Sequence, residues 1–130
     1  MRKIFLALFI LASSLLATVT NEYPSETILK KKIPIVDIRT PGEWHSSGLL
    51  KGAIPIMFFD ERGNYNLNEF LKQLRSKVDT SKPFALICHS GARTTTVANY
   101  LSKELGYDVI NLQGGMMYVE AKHLPVIPYK

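Results

Sequence analysis

The stretch Phe84-Ala85-Leu86-Ile87-Cys88-His89-Ser90-Gly91-Ala92-Arg93-Thr94 constrains this chain more than any other. Its four leading apolar residues read as a strand buried on both faces. Val97, Leu101 and Leu105 then recur every fourth residue, which predicts an amphipathic helix over 94–105, with Gly106 as its stop. Tyr107-Asp108-Val109-Ile110 begins a second strand. Strand, helix and strand in so short a span make a βαβ crossover, and that connection requires parallel strands. The loop after the first strand therefore opens at the carboxyl edge of a parallel sheet, where open α/β sheets place their ligand sites. The only cysteine of the chain, Cys88, stands there.

The rest of the chain from about Pro24 repeats this alternation. Ser25 caps a short helix that runs to Lys30, and Ile33 to Ile38 reads as a buried strand with Pro34 near its start. Thr40 is the candidate cap of a second brief helix, with Pro41 at its first position. Ala53 to Ile56 suggests another strand, and Phe70, Leu71 and Leu74 fall at helical spacing. Gly114-Gly115 leads into a last short helix. The class is α/β, in one domain spanning 24–130, and 130 residues leave room for little more.

At Cys88 the sequence suggests chemistry as well as packing. The loop from His89 to Arg93 runs into a helix N-terminus, so its amide N–H groups can converge on one point. Such a nest, with the helix dipole behind it, favours a negative atom at its centre. That atom can be a thiolate or the terminal sulfur of a persulfide. Gly91 permits the backbone angles of a tight cradle, and Arg93 adds a permanent cation suited to an oxyanion. Two chemistries use such a cradle, attack on phosphorus and acceptance of sulfur. The bland alternative is a buried thiol acting as a small hydrophobe.

Five segments in order then resemble the rhodanese (thiosulfate sulfurtransferase) family. Asp37-Ile38-Arg39-Thr40-Pro41-Gly42-Glu43-Trp44 looks like its early D-x-R-x-P-x-E-aromatic segment, and Gly48 to Ile54 like its G-H-I-x-G-A-I turn. Cys88 to Arg93 fits the active-site loop, Asn111 to Met116 the closing L-x-G-G-[IM], and Leu124-Pro125-Val126 the usual end. The resemblance implies a single rhodanese-like domain, its central parallel sheet flanked by helices on both faces. It also implies sulfur chemistry with Cys88 as acceptor. Four residues separate Cys88 from Arg93, whereas cysteine phosphatases have five, a wider cradle for phosphate. Three positions depart from the family: Leu49 stands for His, Val119 for Trp and His123 for Gly.

The implied reaction is acceptance of sulfane sulfur from thiosulfate or polysulfide as a persulfide on Cys88, then transfer to a thiol, cyanide or a protein. A persulfide carrier that serves one partner protein is the alternative, and a phosphatase or arsenate reductase a more distant one. Substrate contacts are expected from His89, Ser90, Gly91, Ala92, Arg93 and Thr94. His89 is expected to line the mouth, since neighbouring residues rarely aim side chains at each other. Asp37 and Arg39 are possible supporting residues, with Arg39 expected to pair with Glu43 or to cap nearby backbone. No cofactor is implied, and one cysteine with isolated histidines gives no metal-ligand spacing.

Partners and address follow from charge. The 16 Lys+Arg against 11 Asp+Glu are interspersed, which argues against nucleic acid and suits a small anionic substrate. Arg2 and Lys3 precede an apolar run from Ile4, and no further charge occurs until Glu22. This is the layout of a secretory signal peptide over 1–20, with cleavage expected near Ala17 to Thr20. Export is expected, periplasmic in a bacterium and secreted otherwise, with no stable membrane insertion after cleavage. An uncleaved anchor is the competing reading. A lone thiol kept in an oxidising compartment suggests a use for it.

Overall fold

The computed structural model describes residues 17–130. Twelve elements follow in chain order: β1 Val19–Glu22, α1 Glu26–Lys30, β2 Ile35–Asp37, α2 Pro41–Ser47, β3 Leu49–Leu50 and β4 Ile54–Pro55. They continue with α3 Leu67–Lys77, β5 Phe84–Ile87, α4 Ala92–Leu105, β6 Val109–Leu112, α5 Gly115–Ala121 and β7 Val126–Ile127. The leader expected over 1–20 lies outside the described residues, save its last four.

Five strands form one sheet in the order β1-β6-β5-β2-β4, and every neighbouring pair is parallel. The crossover read from sequence is present, since β5 pairs with β6 through α4 with Phe84 opposite Val109. All four residues of β5 are fully buried, and they alternate between two cores. Phe84 and Leu86 join Phe70, Leu71 and Leu74 of α3 and Val97 and Leu101 of α4. Ala85 and Ile87 face the other way, onto Ile28 of α1 and Met116 and Val119 of α5. Helices thus cover both faces, which is why the strand reads as a continuous apolar run. Each buried Leu, Ile or Phe contributes about 1.5–3 kcal/mol.

The caps follow the expected chemistry. Ser25 accepts from the Ile28 amide, and Thr40 and Glu43 form a capping box on α2 with Pro41 in the first turn. Other details differ from the sequence expectation. α4 starts at Ala92, two residues early, because Gly91 takes the left-handed conformation and opens the helix itself. β1 lies ahead of residue 24, with its first two residues in the polar tail of the leader pattern. The antiparallel pair β3–β7, with Leu50 opposite Val126, was not expected at all.

Candidate active site

Cys88 directly follows β5 and is 1% exposed. The Gly91 amide donates to its Sγ at 3.2 Å, and Thr94 Oγ1 lies 3.6 Å from the same sulfur. Gly91 reaches this position with φ +99°, which costs an L side chain energy but glycine almost nothing. Its carbonyl accepts from the Thr94 and Thr95 hydroxyls at 3.1 and 2.8 Å, so the turn is pinned from the helix side. No side chain caps α4. The first-turn amides of a helix lack intrahelical partners, so those of Ala92, Arg93 and Thr94 are available to an anion above the sulfur.

A second helix holds the loop from outside. The amides of Met116 and Met117, in the first turn of α5, donate to the carbonyls of Cys88 and His89 at 2.9 and 3.0 Å. Turning those carbonyls outward leaves the amide side of the loop facing the sulfur. This close approach requires Gly115, which has φ +54°, and where a Cβ would sit 2.6 Å from the His89 oxygen. A polar relay also reaches the loop from the sheet edge. Asn111 Nδ2 donates to Asn21 Oδ1 of β1 at 3.0 Å and to Thr95 Oγ1 at 3.1 Å. The sequence assigned Gly114-Gly115 to a helix start and to the closing L-x-G-G-[IM] segment, but not to the support of the Cys88 loop; the double glycine directly after a strand was the available signal.

Around the sulfur, His89, Ser90 and Ala92 are exposed, Arg93 is half-buried and Thr94 is buried. Arg93 does not stand free. Its Nη1 and Nη2 donate to Oε1 and Oε2 of Glu43 at 2.7 and 2.8 Å, a two-point ion pair across 50 residues of sequence. The hydrogen bonds from Arg93 pull the Glu43 carboxyl from its ordinary 4.5 to about 2, against the opposing effect of partial burial. The same bonds raise the Arg93 guanidinium above its ordinary value.

Asp37 and Arg39 sit elsewhere in role. Asp37 Oδ1 accepts from the Arg39 amide at 3.0 Å, from Arg39 Nε at 3.0 Å and from Trp44 Nε1 at 3.1 Å. Arg39 Nη2 binds Asp37 Oδ2 at 2.9 Å and the Gly48 carbonyl at 2.7 Å, while Nη1 binds Ser47 Oγ at 2.6 Å. Both residues are buried, and their groups are used in tying the end of β2 to α2. Of the two expectations for Arg39, it caps nearby backbone at the Gly48 carbonyl and does not pair with Glu43. Among the described residues no cluster of His, Cys, Asp and Glu could hold a metal ion.

The geometry is that of a thiol at the base of an amide cradle, at the carboxyl edge of a parallel sheet. The family profile described as a Rhodanese-like domain matches residues 21–122. The chain belongs to the rhodanese-like domain family. YtwF of Bacillus subtilis, which bears a sulfurtransferase name, is 28% identical over 78% of this chain and 92% of its own length. The thiosulfate sulfurtransferase GlpE of Shewanella oneidensis is 32% identical over 65% of this chain and 73% of its own. The solution structure of the polysulfide-sulfur transferase homodimer from Wolinella succinogenes matches with a TM-score of 0.62 at 20% identity, over 86% of this chain and 80% of that one. That last likeness concerns the fold alone. This rhodanese-like domain absorbs its departures from the family pattern in the scaffold. Val119 is fully buried in the core beneath α5, and His123 takes φ +52°, a conformation that glycine would adopt at less cost.

Proposed function

We infer that this rhodanese-like chain is a sulfurtransferase that accepts sulfane sulfur from thiosulfate or polysulfide onto Cys88 and passes it to a thiophilic acceptor. One observation carries the reading: the Cys88 sulfur receives the Gly91 amide at 3.2 Å, below an uncapped helix N-terminus. In the first half-reaction the Cys88 thiolate attacks the outer sulfur of the donor. With thiosulfate a new S–S bond forms, the old one breaks, and sulfite leaves with its electron pair. The terminal sulfur of the persulfide carries the remaining negative charge, and the free amides of α4 are placed to hold it. In the second half-reaction an acceptor nucleophile takes that sulfur and Cys88 departs as thiolate. No general base is needed for either step, which suits an exposed His89. Intact mass measured after incubation with thiosulfate or polysulfide tests this. A gain of one sulfur atom is expected, reversed by cyanide and absent in Cys88→Ser; an unmodified protein with every donor overturns the reading.

Export is part of the same proposal, supported by the stretch without charge between Lys3 and Glu22. The sheet narrows where a cut is tolerable. The Thr18 carbonyl accepts from Val109 at 3.1 Å, and Val19–Glu22 pairs with β6 in register. Cleavage after Thr20 would remove half of β1, so the mature chain is expected to begin at or before Thr18. N-terminal sequencing of protein recovered from its native cell checks this, and a start beyond Thr18 or an unprocessed cytosolic chain defeats it.

A further inference from the structure

We propose that Glu43 sets the donor charge that the cradle accepts: its ion pair with Arg93 disfavours dianionic thiosulfate relative to sulfane donors with a single negative charge. This rests on the persulfide reading of Cys88. Arg93 is the only permanent cation in the loop from Cys88 to Thr94, and its neighbour Thr94 touches the sulfur. A free arginine there would reward each donor charge in turn. Instead both of its terminal nitrogens are bound to Glu43, at 2.7 and 2.8 Å.

Glu43 is not free to swing away. The Thr40 amide and hydroxyl donate to the same Oε1 at 3.4 and 3.2 Å, as part of the capping box of α2. A carboxyl held at about 2 keeps the pair charged on both sides in any near-neutral medium. The pair is therefore a fixed object of zero net charge beside the cradle, in the first turn of α4 and next to Thr94. A second charge on the donor gains nothing from it. The cost of stripping water from an ion, however, rises about as the square of its charge, so the dianion pays more to enter the same site. A donor anion can gain Arg93 only by competing with a carboxylate already bound at two points.

The test compares two donors that differ in charge but share one chemistry. Thiosulfate carries two negative charges; methanethiosulfonate, with methyl in place of one oxygen, carries one. Attack on the latter releases methanesulfinate and leaves the same persulfide, so atoms and charges balance in both cases. Glu43→Gln keeps the capping-box geometry and removes the negative charge. The ratio of kcat/KM for thiosulfate to that for methanethiosulfonate should rise roughly tenfold in this variant, mainly through KM, because a net positive charge beside the cradle acts twice on a dianion. The rise should shrink with added salt, which a purely structural change would not do. Arg93→Gln leaves the carboxylate alone, and the same ratio should fall below that of the parent protein. A ratio that stays within about twofold of the parent in both variants, while each still gains sulfur from both donors, overturns the role of Glu43 and leaves the persulfide reading standing. A parent protein whose Cys88 gains sulfur from neither donor removes both.

Discussion

Two arginine–carboxylate pairs have their carboxylates, Asp37 and Glu43, six residues apart in sequence, and they do different work. Arg39 and Asp37 are 1% and 0% exposed, and Trp44, Ser47 and the Gly48 carbonyl complete their hydrogen bonds. Arg93 and Glu43 are 27% and 31% exposed, and Arg93 lies in the first turn of α4, beside the candidate site. The chemistry of the two forks is alike, so the difference comes from solvent. A buried pair must be satisfied on every side or it costs more than it returns, and once satisfied it acts as a rivet. A pair at the surface contributes little to folding, so the same fork there does little to hold the scaffold.

The largest expected effect comes from breaking the buried pair. Arg39→Ala leaves the Asp37 carboxylate at 0% exposure with its guanidinium partner gone. Such uncompensated charges cost about 3–5 kcal/mol. Chemical denaturation should show a loss of that size, or no folded protein at all. A loss below about 1 kcal/mol would place this pair with ordinary surface pairs and end the contrast.

The exposed pair should give a smaller number. Arg93→Ala is expected to lower stability by less than about 1 kcal/mol, since half-open charges are screened and two long side chains are no longer ordered. A double-mutant cycle over Glu43 and Arg93 should give a coupling that decreases with salt. A coupling as large as the loss in Arg39→Ala would mean that the exposed pair is a structural rivet too.

The contrast also explains what was legible in the sequence. The Cys88 loop was readable because its parts are contiguous: a buried strand, a glycine and a helix start follow one another within ten residues. The partners of Arg39 were not. Spacing offered Glu43, four residues on, but the two do not share a helix face. Arg39 precedes the Thr40 cap and bends back onto Asp37, two residues earlier, whereas Glu43 is the third residue of α2. There Glu43 completes the cap and meets Arg93 of α4, a contact no local pattern announces. β1 was hidden for another reason. Val-Thr-Asn-Glu is a polar edge strand whose residues are exposed or half-buried, so it has no apolar signature, and it abuts an apolar run that dominates the reading. β3 and β7 have two residues each, too few for any period to register.

The smallest expected effect is the pH dependence of the exposed pair, and its sign is determined. The Glu43 carboxyl is held at about 2 in the folded protein, against 4.5 ordinarily. A depressed carboxyl stabilises the fold fully above its unfolded value and loses that contribution as pH falls through the folded one. Glu43→Gln has no proton to gain, so it serves as the reference. The stability difference between parent and Glu43→Gln should be constant well above 4.5, shrink as pH falls below it, and level off only after pH has passed through about 2. Its plateau should be a few tenths to about 1 kcal/mol, because the pair is partly solvated. Denaturant titrations of both proteins at matched ionic strength measure it. A difference that grows toward acid would mean that the carboxyl is raised on folding, and the hydrogen bonds from Arg93 could not then dominate its surroundings.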